Sequence, residues 1–208
     1  MAARTPKNRS ARVSLLADRE HYDDLVVATI LRAKFSVWIA TANVKDMHVE
    51  APIGTTARAR GRYVSMLENL RDLTRRGVEV RILHGAQPSG PFRAQLARLG
   101  GTGKGAAKTG VEMRHCPRVH LKVIAVDGRA LYLGSANFTG AGLGAKGDGR
   151  RNFEMGIMTD DEILLDAAQA RFDAIWRGNE CASCTLRRQC PKPIDTLTKP
   201  KKRAEVGT

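Results

Sequence analysis

The chain has 208 residues, 42% of them hydrophobic, which suits one core and an appendage and leaves too little for two large independent domains. Lys and Arg outnumber Asp and Glu by 35 to 21, which suits a polyanionic partner such as nucleic acid or an acidic membrane surface. The basic start is not followed by an apolar stretch, and no run of about 18 apolar residues occurs, so the expectation is a cytoplasmic protein with no membrane insertion.

Most of the excess charge sits at the ends. Residues 1–14 carry Arg4, Lys7, Arg9 and Arg12 with no acid, and residues 185–208 carry seven basic residues against Asp195 and Glu205. These stretches read as solvated ends or as phosphate-binding arms. Lys199-Pro200-Lys201-Lys202-Arg203 also has the look of a nuclear-import signal, a short pattern that is common by chance.

After this basic leader, Tyr22 to Lys34 has the apolar spacing of a helix, and Phe35 to Ala42 reads as a buried strand. Asn43 to Gly61 shows no period and is expected to be a loop bordering a site. Tyr63, Met66, Leu67, Leu70 and Leu73 then form one helical stripe, with Gly77 at the position of a cap and a strand from Val78 to Ile82. Pro91 to Leu99 suggests a short helix. It leads into a glycine and lysine stretch, Gly100 to Gly110, which lacks the spacing of a phosphate-binding Walker loop and reads as a flexible basic connection.

Strands return from Val111. Val119 to Val126 and Ala130 to Leu133 flank Asp127-Gly128, a hairpin dipeptide, and a polar glycine-rich loop, Gly140 to Arg150, precedes a strand from Phe153 to Met158. Thr159 with Glu162 has the form of a capping box. It opens a helix whose apolar face includes Ile163, Leu164, Phe172, Ile175 and Trp176 and which ends at Gly178. This order predicts an α/β fold with a mixed sheet flanked by helices.

Chemistry concentrates in His120-Leu-Lys122, then Asp127, then Gly134-Ser135-Ala-Asn137. On a strand, His120 and Lys122 share a face, and two polar groups on an otherwise apolar strand need partners or a purpose. Either residue alone reads as a satisfied core histidine or an edge-strand charge. Together, H-x-K-x4-D-x6-G-S-x-N resembles the signature of the phospholipase D superfamily, or HKD family, with every position present. Asn152-Phe-Glu154 is similar to the family's N-x-E element, and the resemblance runs from about Tyr22 to Trp176.

That resemblance implies a phospholipase D-like half-domain with a cysteine-containing C-terminal appendage. The expected divisions are a basic leader (1–14), a catalytic domain (15–178), a cysteine segment (179–194) and a basic tail (195–208). It implies a phosphodiesterase in which His120 attacks phosphorus and Lys122, Asn137 and Ser135 steady the phosphate oxygens. Glu154 would hold the imidazole, and no metal cofactor is needed for catalysis. Asp127 and Gly134 are assigned to structure, Asp127 because it adjoins the turn and Gly134 because it permits close backbone approach.

Family sites combine two such motifs. This chain has one, since His21, His48, His84 and His115 are not followed by Lys two positions later, so a homodimer is expected. Short single-motif members resemble endonucleases, which points to DNA or RNA as partner. A phospholipid hydrolase or transphosphatidylase and a nucleic-acid-binding subunit of a larger complex are the alternatives.

Cys181, Cys184 and Cys190 form C-x2-C-x5-C followed by Pro, and Cys116 is the remaining cysteine. In a cytoplasmic chain these favour metal over disulfides. The pattern resembles the cysteine triplets of iron–sulfur nucleases and suggests a 4Fe-4S cluster, with zinc or unliganded thiols as alternatives.

Overall fold

The computed structural model describes residues 10–51, 54–100 and 110–198. Most of the basic leader, most of the glycine and lysine stretch and the Lys199 to Arg203 cluster lie outside the described residues.

The strands described are β1 (Val13–Ala17), β2 (Ser36–Thr41), β3 (His48–Glu50), β4 (Tyr63–Ser65), β5 (Glu79–His84), β6 (Val111–His115), β7 (Lys122–Val126), β8 (Ala130–Gly134) and β9 (Met155–Thr159). Seven make one mixed sheet in the order β1-β9-β8-β7-β2-β5-β6, parallel across β2, β5 and β6 and antiparallel elsewhere. β3 and β4 pair separately. The helices are α1 (Thr56–Ala59), α2 (Met66–Arg75), α3 (Gly90–Gly100), α4 (Glu162–Trp176) and α5 (Asp195–Thr198). The mixed α/β sheet expected from the sequence is therefore present.

Period-two alternation gives the sheet two apolar faces. Val37, Ile39, Val80, Ile82, Ile124 and Val126 join the larger core with α2 and the segment from Tyr22 to Ile30. Ala40 and Leu83 pack with Phe172 and Trp176 of α4 on the opposite face, and Trp38 and Val123 pack against the same cluster. Trp38 stacks on Phe172 at 5.2 Å and Phe172 on Trp176 at 5.6 Å, while the Arg81 guanidinium lies over both tryptophans. This stack ties α4 to β2 and β5.

Several local expectations change. His21–Val27 is a π-type turn followed by a 3-10 turn, Ile30–Arg32, rather than one helix through Lys34. The Asn43 to Gly61 stretch holds β3 and α1 instead of only loop. Tyr63 is 61% exposed on β4, and α2 begins after it with Ser65 as cap, the Ser65 hydroxyl accepting the Leu67 N–H at 3.1 Å. At α4 the cap is Asp161, whose carboxylate accepts the Leu164 N–H at 2.9 Å. Thr159 instead accepts the Asp161 N–H, because its own residue still belongs to β9. Val13 and Ser14 belong to β1, so the ordered sheet starts inside the stretch expected to be leader.

Candidate active site

One edge of the large sheet gathers the chemistry. β2, β5, β6 and β8 end there at Thr41, His84, His115 and Gly134, while β7 begins there at Lys122 and β9 at Met155. Loops leaving the carboxyl ends of parallel strands are where open α/β sheets place their sites. His120 does not lie on β7. It is exposed on the connection just before the strand, and Lys122, half-buried opposite Thr41, donates from Nζ to the His120 carbonyl at 3.0 Å. The expected shared strand face is thus replaced by a strand end from which the imidazole projects.

The loop after β8 is tied to the end of β2. The Asn137 Oδ1 accepts the Asn43 N–H at 3.1 Å and lies 3.3 Å from the Thr41 hydroxyl, whose single proton has the Asn43 carbonyl at 3.0 Å as its nearer acceptor, and Thr41 Oγ1 accepts the Phe138 N–H at 3.0 Å. With its carbonyl so engaged, Asn137 has Nδ2 left to donate outward. The Ser135 hydroxyl donates to Glu154 and accepts the Met155 N–H at 3.1 Å. The second carboxylate oxygen of Glu154 accepts from Asn152 Nδ2 at 3.0 Å. A serine has one hydroxyl proton, and in this arrangement it is directed to the Glu154 carboxylate. Among the described residues of the single chain, no hydrogen bond or ion pair joins Glu154 to His120.

Beneath this rim lies a support that the sequence did not reveal. Asp18, in the left-handed region at φ 43°, donates its N–H to the Glu154 carbonyl at 3.0 Å and accepts the Glu154 N–H on its carboxylate at 2.9 Å. His21 is fully buried, with Nδ1 at 3.1 Å from the Asp18 carbonyl and Nε2 at 2.9 Å from the Tyr132 hydroxyl. That hydroxyl accepts the Ala136 N–H at 3.3 Å, directly after Ser135. Burial pushes the His21 imidazole below its ordinary value, against opposing contributions from the Asp18 carbonyl and the Glu154 charge. Burial likewise pushes the Tyr132 phenol up to about 12. Both therefore stay neutral and serve as a hydrogen-bonded brace.

Gly134 and Gly156 face each other in register, and the Tyr132 ring lies across them. A Cβ at Gly134 would stand 2.2 Å from the Tyr132 hydroxyl. Gly85 is a second close approach, since a Cβ there would stand 2.0 Å from the Val119 carbonyl oxygen, one residue before His120. Asp127, at φ 55° beside the turn, points away from the edge. Its carboxylate accepts the N–H groups of Lys34, Phe35 and Ser36 at 2.7–3.1 Å. Burial raises this carboxyl, but the three backbone bonds outweigh it and hold the group below the usual carboxylate range.

The four cysteines come together at the same edge. Cys116 follows β6, its N–H donating to the His84 carbonyl at 2.9 Å, and it lines one cavity with Cys181, Cys184 and Cys190. All four are half-buried, and none is in a disulfide. Among the described residues, no three His, Cys, Asp or Glu side chains are placed so that a single metal ion could be held by them. No described helix is long and apolar enough to cross a membrane.

Comparison with known proteins agrees with this geometry. Residues 26–176 match the family model described as cardiolipin synthase, PLD-like domain. Among solved structures, Nuc from Salmonella typhimurium, described as a phospholipase D family member, is 20% identical with a TM-score of 0.53, covering 81% of this chain and 95% of its own. NucT from Helicobacter pylori is 18% identical with a TM-score of 0.52, covering 79% and 94%. No curated protein matches. With its sheet-edge His120, Lys122 and Asn137 and a family match spanning most of its length, the chain belongs to the phospholipase D-like domain family.

Proposed function

We propose that the chain is a nuclease that cleaves DNA or RNA through a phosphohistidine intermediate, in a site completed by a second copy of itself. Phosphodiester chemistry follows from family membership. The finer reading rests on one observation: the rim presents a single exposed motif imidazole, which is half of the acid, base and nucleophile set that the reaction needs.

In this scheme the His120 imidazole attacks phosphorus in line, forming an N–P bond as the bond to the leaving oxygen breaks. His120 of the second copy gives that oxygen a proton, then takes one from the water that breaks the N–P bond. Lys122 and the Asn137 Nδ2 donate to the non-bridging oxygens, where charge grows. Glu154, steadied by Ser135 and Asn152, is placed to hold an imidazolium in the assembled site. These groups supply the charge stabilisation without a divalent ion, and the four cysteines take no part in the steps.

An apolar strip supports the second copy. Phe153 is 97% exposed and Met155 60% exposed on either side of Glu154, and Leu15 of the neighbouring edge strand is 61% exposed. Large apolar side chains left open beside a half-site are suited to burial against a symmetric partner. Phospholipid is the second reading, favoured by the description of the matching family model. Wild type and His120→Ala, incubated with plasmid DNA, RNA and phospholipid vesicles in EDTA, separate the two. Nicking or RNA cleavage by wild type alone supports the nuclease. Headgroup release with intact nucleic acid, or cleavage that EDTA abolishes, overturns it.

A further inference from the structure

Cys116 lies 65 or more residues before the C-terminal three cysteines in sequence, yet all four line one small open cavity of about 30 Å³. Nothing in the phosphoryl scheme uses them, and the fold spends effort to bring them there. Cys181 and Cys116 pack against the cluster of Val119, Trp176 and Ile194, so the segment after α4 is folded back onto the connection that carries His120. Gly178 turns the chain at φ 79°, and an Arg187 to Asp195 ion pair at 2.6 Å closes the returning loop. Cys184 N–H donates to the Cys181 carbonyl and Cys190 N–H to the Arg187 carbonyl, so successive turns present the three thiols to one space. Four cysteines that share a cavity, none of them in a disulfide, have the composition of a ligand set.

Tetrahedral zinc with bonds of about 2.3 Å draws its four sulfurs to within about 3.8 Å of one another. Among the described residues no three candidate ligands are arranged around one ion, although all four thiols line the cavity. A polynuclear cluster places a metal and bridging sulfides between the thiolates, and so joins the same four ligands at a wider span. The Arg118 guanidinium, hydrogen-bonded to Cys184, and Arg187 on the cavity wall supply positive charge beside an anionic group.

We infer that Cys116, Cys181, Cys184 and Cys190 bind one polynuclear iron–sulfur cluster, rather than a single zinc ion, and that it pins the C-terminal appendage to the connection leading into His120. Cys116 lies four residues before His120. Its carbonyl accepts the Val119 N–H at 2.9 Å, so a rigid ligand there fixes the turn that delivers the imidazole.

The test is metal and acid-labile sulfide analysis of the full chain purified without oxygen, beside chain stripped of metal and rebuilt with ferrous iron and sulfide in competition with zinc. Iron and sulfide in equal amounts, at two or more each per chain, with broad visible absorption, are expected in both. Cys184→Ser should lower them at least severalfold. One zinc per chain without sulfide overturns the inference, as does failure of the rebuilt chain to take up iron. Should Cys184→Ser fail to fold, the rebuilt wild-type chain still decides. These readings do not depend on whether the protein cleaves nucleic acid, so a failed nuclease assay and an absent cluster remain separate results.

Discussion

Two histidines at the same sheet edge have opposite surroundings. The His120 imidazole is exposed and has no hydrogen-bond partner among the described residues, its residue being held through the backbone carbonyl that Lys122 reaches, whereas His21 is fully buried with both ring nitrogens engaged. A ring with both nitrogens satisfied and its charged form disfavoured by burial has no proton chemistry left to offer near neutral pH. An exposed ring held only through its backbone keeps both nitrogens open, as the proposed reaction requires. The buried histidine braces the loop of Ser135 and Glu154 through hydrogen bonds, and the exposed one is the proposed nucleophile. Residue type alone does not distinguish these roles.

The largest effect expected from this contrast is at His120. His120→Ala should lower phosphodiester cleavage by a factor on the order of 10⁴ or more without changing the thermal midpoint, as measured by initial rates and calorimetry. A surviving rate within tenfold of wild type would remove the contrast. Next is Gly85→Ala. The added Cβ meets the Val119 carbonyl at 2.0 Å and the Ala42 carbonyl at 3.3 Å, so backbone rather than a side-chain tip must yield. Displacing the connection to His120 by a fraction of an ångström to an ångström should cost about 10²-fold in kcat/KM. Unchanged kinetics in a stable variant would show that the connection is not held from below.

Asp127→Ala sharpens the division between site and scaffold. Loss of the carboxylate leaves three backbone N–H groups at the start of β2 without that acceptor, which should cost about 1–3 kcal/mol of stability in denaturant titrations. Activity per folded molecule should remain, and a loss of kcat in fully folded variant would instead put Asp127 in the chemistry. The smallest effect is the pH response of His21. Its folded-state pKa lies below the ordinary 6.5, so the unfolded chain takes up a proton first as pH falls. His21 therefore contributes stability in full above about pH 6.5, and that contribution declines as pH drops through the interval down to the folded pKa. His84, lowered by burial as well, acts in the same direction, so His21→Phe should flatten the stability slope between about pH 7 and 5 only in part. An identical slope in the variant would deny the brace its neutrality.

The difference between the two histidines also explains what could be read in advance. His120, Lys122, Ser135, Asn137 and Glu154 lie within one stretch of chain whose spacing is a local property, so the pattern was visible before the fold. The support is not local. His21 meets Tyr132 across 111 residues, Asn43 meets Asn137 across 94, and Glu154 meets Asp18 across 136. No period or motif encodes such pairings. Gly85 was equally hidden, because its significance lies in the Val119 carbonyl above it and not in its neighbours in sequence. The α2 and α4 stripes were legible from apolar spacing, while their first residues were not. Tyr63 fits the helical period of α2 but pairs with Glu50 in a hairpin, and the turn at Asp161 takes the cap from Thr159.

The central claim is that His120 carries the phosphoryl group between two displacements, and the stereochemistry at phosphorus tests it most directly. Each in-line displacement inverts the centre, so two in succession restore it. Cleavage of a phosphorothioate diester of known configuration in isotopically labelled water is predicted to proceed with net retention. Net inversion would mean that water attacks the substrate directly, and would contradict a phosphohistidine at His120.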